Sequence, residues 1–140
     1  MDEAKLSNCA IVFVTLEIAK TATYYQDVLG FKVVEHYDRQ EKFAALYRDS
    51  IEIILVQAQF GSIQSNRERY GAGFDAYLVP ESPEAVEAFY KEIRARGAKI
   101  AQKPGMTTYG SVEFVLEDIE GRLIGVGCIK NEATFFGEIG

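Results

Sequence analysis

Seven side chains carry most of the chemistry open to this chain: the carboxylates Glu52, Asp75 and Glu113, and the aromatics Phe43, Tyr47, Tyr77 and Tyr109. Aromatic walls with several carboxylates suit a flat, cationic or donor-rich compound. Such a compound would be held by stacking, by cation–π contact and by charge-assisted hydrogen bonds. The same residue types also fill sheet cores and solvated strand faces. Covalent chemistry has fewer openings. His36 is the one histidine, at the far end of the strand-like run from Val33 to Asp38, so a Ser-His-Asp or Cys-His scheme would need it as the base. Cys9 and Cys128 have no metal-ligand spacing and read as free, buried thiols. There is no glycine-rich phosphate loop and no nucleotide fingerprint.

The elements that must position these residues occur twice. An apolar run from Cys9 to Leu16 is followed by Ala22 to Val34, which holds the aromatic pair Tyr24-Tyr25 and then Gly30. A second run, Phe74 to Val79, is followed by Ala88 to Ile100, with Phe89-Tyr90 and then Gly97. After each copy two more strand-like runs meet around an Asp: Phe43 to Tyr47, Asp49, Ile51 to Val56; and Val112 to Leu116, Asp118, Leu123 to Val126. Each half reads β-α-β-β-β, and duplicated units bury their apolar faces on one another. The spacing predicts an α+β fold of two βαβββ modules, about 8–57 and 73–128. Their curved, barrel-like mixed sheets carry helices on the convex face and leave the concave face for a ligand. Residues 58–72 read as a loop or linker, and 129–140 as a C-terminal tail without periodicity, in which Phe135-Phe136 could dock.

The second helix is the clearest element, with Ser82 as N-cap, Pro83 at the first helical position and Gly97 as left-handed stop. Val86, Phe89, Tyr90 and Ile93 fall on one stripe. The first helix repeats this with Thr21 as cap, Ala22, Tyr25, Val28 and Leu29 on the stripe, and Gly30 at its end; packing is the role expected of Tyr24 and Tyr25. Strand alternation ties Asp75 to Tyr77 and Val79 on the cavity side, with Phe74, Ala76 and Leu78 toward the helix. It ties Glu113 to Val115 likewise, with Val112, Phe114 and Leu116 toward the helix. Pro104 to Thr108, around Met106, read as a mobile loop bordering the cavity.

At 140 residues the chain has the length of one domain with a substantial core. Twenty-one acidic against 15 basic residues give a net charge of −6, which argues against nucleic acid as a partner. The stretch Met1 to Lys5 lacks the order of a signal peptide, and no apolar run approaches the ~20 residues that span a bilayer. A cytoplasmic location without membrane attachment is expected.

Tyr24-Tyr25-Gln-Asp-Val-Leu-Gly-Phe31 resembles the "FYrdvLGF" signature of the vicinal oxygen chelate superfamily, the glyoxalase, bleomycin-resistance and extradiol dioxygenase proteins. Tyr109-Gly110 stands where these proteins often carry Trp-Gly. Glu117-Asp118-Ile119-Glu120-Gly121-Arg122-Leu123-Ile124 matches their "DPdGnli" turn, with Ile119 in place of Pro. The likeness covers about residues 8–128 and rests on the order and duplication of motifs that are each weak. It implies paired βαβββ modules, commonly a homodimer, with pockets in the concave sheets.

Metal-dependent members place His or Glu on the first and last strands of each module. Transferred here, those positions fall on Ala10 and Gly125, which cannot ligate, on Asp75 or Phe74 according to strand register, and on Glu52. A divalent site wants three or four convergent ligands, so neither metal nor another cofactor is expected. The resemblance to the bleomycin-resistance branch then implies a homodimeric protein that sequesters a small molecule without catalysis, through Phe43, Tyr47, Glu52, Asp75, Tyr77, Tyr109 and Glu113. The alternative is a metal-dependent lyase, isomerase or dioxygenase using Glu52 and Asp75.

Overall fold

In the computed structural model, which describes residues 2–129, each half folds as β-α-β-β-β. Module one comprises β1 (Ile11–Thr15), α1 (Ile18–Asp27), β2 (Lys32–His36), β3 (Phe43–Arg48) and β4 (Ile51–Gln57). A short α2 (Asn66–Tyr70) follows, and module two comprises β5 (Ala76–Leu78), α3 (Pro83–Ala95), β6 (Lys99–Met106), β7 (Ser111–Glu117) and β8 (Leu123–Ile129). The strands form two separate sheets, β1-β4-β3-β2 and β5-β8-β7-β6, in which the first strand of each module lies parallel to the last. Neither sheet closes into a barrel.

Periodicity decides the layers. Phe13, Leu46, Ile53 and Leu55 alternate onto one face of the first sheet and meet Ala22, Tyr25 and Leu29 of α1 and its C-terminal end. Phe114, Leu116, Ile124 and Val126 do the same beneath Val86, Tyr90 and Ile93 of α3. All belong to one continuous apolar cluster spanning both modules, and each fully buried side chain contributes about 1.5–3 kcal/mol of transfer free energy.

The registers make the modules quasi-equivalent. Ile53 pairs with Leu46 as Ile124 pairs with Leu116. Ile11 lies beside Ile53 as Ala76 lies beside Ile124, so Phe13 corresponds to Leu78 and Val14 to Val79.

Helix α3 starts as its sequence predicts: Ser82 Oγ accepts the Ala85 amide at 3.1 Å, Pro83 follows, and Gly97 takes φ 96°. Helix α1 differs. It begins at Ile18, and Thr21, rather than capping it, is buried inside it with its hydroxyl 2.7 Å from that of Thr15. A threonine pair satisfied in the core outweighs the cap because a buried hydroxyl without a partner costs about 1–3 kcal/mol. The expected linker contains α2, capped by Ser65 Oγ on the Glu68 amide at 3.0 Å. Pro104, Gly105 and Met106 belong to β6, whose pairing with β7 is irregular across Gln102 to Gly105, and are not a free loop. Cys9 is exposed, against the buried thiol expected, because it precedes β1. Phe135 and Phe136 lie outside the described residues.

Two polar clusters join the modules through their β-turns. The β7–β8 turn reaches α1 and β1. There Tyr25 donates to Asp118 Oδ2 at 2.6 Å, Arg122 pairs with the same oxygen at 3.0 Å and donates to the Val14 carbonyl, and its guanidinium lies 4.7 Å over Phe13. The β3–β4 turn reaches α3. Arg48 makes a two-pronged contact with Glu92, at 2.6 and 2.9 Å, and also bonds the Leu29 carbonyl. This guanidinium holds the Glu92 carboxyl below the usual range.

Candidate functional site

The face of module two turned away from α3 is built around Tyr77. Tyr77 pairs with Gly125 across β5 and β8, and its ring lies along Gly125 and Gly127. A Cβ at Gly125 would stand 2.6 Å from the ring, and one at Gly127 would overlap the hydroxyl. Only glycine leaves room for the tyrosine to lie flat on the strand. There its hydroxyl donates to Glu113 Oε1 at 2.8 Å, and Tyr109 donates to the same oxygen at 2.8 Å. Glu113, on β7, is only 6% exposed, whereas both phenol rings remain partly open. Phe74 completes the aromatic wall, 5.6 Å from Tyr77 at 52°. Burial, then the Glu113 hydrogen bond, pushes the Tyr77 phenol up to about 12. The Glu113 bond leads the causes that raise Tyr109.

The corresponding face of module one is largely aliphatic. Cross-strand rows place Val12 beside Ile54, Ala45 and Val34, and Val14 beside Val56, Phe43 and His36. Val12 is 59% and Val14 49% exposed, so among the described residues nothing covers this face. Phe43 stacks on His36 at 4.4 Å and 19°. At the opposite end Tyr47 lies between Glu52 and Lys32.

Of the seven residues named from the sequence, Phe43, Tyr47, Glu52, Tyr77 and Glu113 fall on strands of the two sheets, while Asp75 just precedes β5 and Tyr109 lies in the turn before β7. Tyr77, Tyr109 and Glu113 meet in one hydrogen-bonded cluster, Tyr47 and Glu52 are neighbours on the other sheet, and Phe43 sits at that sheet's far end. Among the described residues no hydrogen bond, ion pair or ring contact joins the two groups. Asp75 belongs to neither. Its two oxygens accept the amides of Asn66 at 2.9 Å and Leu123 at 2.8 Å, fixing α2 and the start of β8. Phe74, expected toward the helix, instead reaches Gly125 and Tyr77, because glycine leaves space there that no helix side chain offers.

The ligand positions implied for metal-dependent members do not fit a divalent ion. Quasi-equivalence makes Asp75 the counterpart of Ala10, with its carboxylate already taken by two amides. It also makes Ile54, rather than Glu52, the counterpart of Gly125. The Tyr77 ring covers Gly125 itself. No group of three or more His, Cys, Asp or Glu among the described residues is arranged to hold a metal.

A family model described as the glyoxalase/bleomycin resistance protein/dioxygenase superfamily matches residues 10–126. The chain belongs to that superfamily. Solved structures show the same fold at low identity. A glyoxalase/bleomycin resistance protein/dioxygenase domain from Frankia sp. EAN1pec has a TM-score of 0.72 at 14% identity, covering 95% of this chain and 99% of that one. A glyoxalase/bleomycin resistance protein/dioxygenase from Nocardioides has 0.67 at 16%, covering 94% and 88%. TioX from Micromonospora sp. ML1 has 0.66 at 17%, covering 88% and 98%. No curated protein matches. Within this superfamily fold no helix among the described residues is long and apolar enough to cross a membrane.

The tyrosines of both regions predict a pH dependence. Burial, then Asp118 and Glu117, pushes Tyr24 up to about 12, and burial followed by Asp118 drives Tyr25 well above its ordinary value. The folded state therefore keeps protons that the unfolded chain releases near pH ~10. The tyrosine contribution to stability is expected to be flat from neutral pH to about pH 10 and to fall progressively toward pH ~12. Urea unfolding across this range checks it. Tyr25→Phe should flatten the slope, and an unchanged slope would remove Tyr25 as its source.

Proposed function

We propose that this superfamily member is a homodimeric small-molecule-binding protein whose concave faces hold an aromatic, cationic or donor-rich compound without metal catalysis. The carrying observation is the Tyr77–Glu113–Tyr109 cluster, in which one buried carboxylate accepts two phenols whose rings stay open to the surface. Such a surface offers π-faces backed by negative charge, and it binds cations bearing flat rings. A second copy is the fitting cover for the aliphatic face of module one, since exposed contiguous apolar strands mark an interface. The bleomycin-resistance members of the superfamily supply the precedent for the metal-free reading.

Calorimetry against a panel of cationic glycopeptide and aromatic antibiotics tests ligand binding, and sedimentation tests the dimer. A binder is expected, with affinity lowered about tenfold to a hundredfold in Glu113→Gln, the range of a charge-assisted hydrogen bond. No binder across a broad panel would sink the reading. So would stoichiometric divalent metal that disappears in Glu52→Ala, which would favour a metal-dependent enzyme.

A further inference from the structure

A cavity of about 420 Å³ opens between the modules, away from both concave faces, where the β3–β4 turn approaches β5 and the start of α3. Its walls include Ile51, Leu78, Phe89 and Val126, with Asp49 and Glu81 at its polar margin. The quasi-equivalent place in the other half is filled by the protein itself. There Arg122 lies over Phe13 and donates to the Val14 carbonyl, while Glu120 accepts the Leu16 amide at 3.0 Å.

Three differences open the cleft. Ile51 stands where Arg122 does, Leu78 stands where Phe13 does, and four residues rather than five separate the equivalent strand pairs Tyr47–Glu52 and Glu117–Leu123. The shorter turn has a cost. Asp49 takes φ 51°, left-handed for a residue that is not glycine, and backbone strain of this kind collects at ligand sites.

We propose that this inter-module cleft is a second ligand site, taking a small molecule with an apolar or aromatic body and an amidinium or guanidinium head. The head supplies what Arg122 supplies in the other half, donation to the backbone at Val79, just past the end of the edge strand β5. The body occupies the volume that Leu78 leaves relative to Phe13. Asp49 and Glu81 favour the cation. The wall's own cation, Arg48, is held by a two-pronged contact with Glu92 and stands only 3.8 Å from Asp49 through Nε, which leaves most of the exposed Asp49 carboxylate to the cleft. The positive end of α3 is met by Ser82 and Glu84. A 420 Å³ apolar cleft with a few polar groups at its margin lies within the range of small-molecule sites. The proposal does not rest on the concave-face reading.

Amide-resolved NMR titration of the full chain with benzamidine, and with benzyl alcohol as an uncharged ring of similar size, tests it. Saturable shifts are expected at Ser50, Ile51, Val79 and Glu81 with benzamidine, and markedly weaker binding with the alcohol. Asp49→Asn combined with Glu81→Gln should weaken benzamidine about fivefold to tenfold; Asn keeps the left-handed turn accessible, so the fold is preserved. Ala85→Leu, which fills the cleft from α3, should weaken both probes. Absence of saturable shifts at these amides, equal affinity for the two probes, or affinity unchanged in the charge variant overturns the proposal. Shifts confined to the strands around Tyr77 and Glu113 overturn it too, while supporting the concave site.

Discussion

Asp118→Ala is expected to destabilise the protein by about 3–5 kcal/mol, the penalty for stranding a buried charge. The Asp118 carboxylate accepts Tyr25 Oη at 2.6 Å, Arg122 Nη1 at 3.0 Å, and the amides of Glu120 at 2.9 Å and Arg122 at 3.0 Å. Removing it leaves a guanidinium that is 4% exposed, and a buried phenol, without their main acceptor. Glu120, 3.0 Å from Arg122, offsets part of the loss and places the effect toward the lower end. For a chain of this size the melting temperature should fall by about 10 °C.

Urea unfolding measures it. A double variant, Asp118→Leu with Arg122→Met, should recover much of the loss, because a buried ion pair replaced by packed apolar groups is often neutral. A loss below about 1 kcal/mol in the single variant would mean that water or Glu120 satisfies Arg122.

The second large effect is expected at Gly127. Its added Cβ would overlap the Tyr77 hydroxyl and stand 3.1 Å from Ser111 Oγ. Gly127→Ala therefore lifts the ring from its seat and breaks the bond to Glu113. Overpacking of this kind costs about 1–3 kcal/mol. The functional consequence follows from the same movement. Tyr77, held up to about 12 in the native protein, should titrate nearer the ordinary tyrosine value, and ligand affinity at the concave face should drop with it. Spectrophotometric titration of the phenols reads the shift. Gly105→Ala is the control, since a Cβ there meets nothing within 4 Å and should leave both quantities unchanged. If Gly127→Ala behaves like Gly105→Ala, Tyr77 does not depend on that seat.

Particular elements show how far local pattern carries. The caps and stripe of α3 were legible because Ser82, Pro83 and Gly97 act on their own neighbours. The two faces of β7 were legible because side chains alternate with period two, placing Phe114 and Leu116 under α3 and Glu113 opposite. Thr21 misled because its partner, Thr15, belongs to a strand that packs beneath the helix. Asp75 stood in a position associated with metal ligands, yet its oxygens bind an amide 48 residues away in β8. The Tyr25–Asp118 bond joins residues 93 apart, and neither residue carries a local mark of it.

From the sequence alone came the duplication, its two βαβββ modules, the apolar face of each strand and helix, and the superfamily signature around Tyr24 to Phe31. These follow from periodicity and turn chemistry, which act over a few residues. The tertiary structure decided where the halves meet. It seated Tyr77 on Gly125 and Gly127 against Glu113, locked Arg122 into one junction and left the other open as a cleft. Those outcomes depend on register between strands and on contacts across the whole chain, and local pattern carries no information about either.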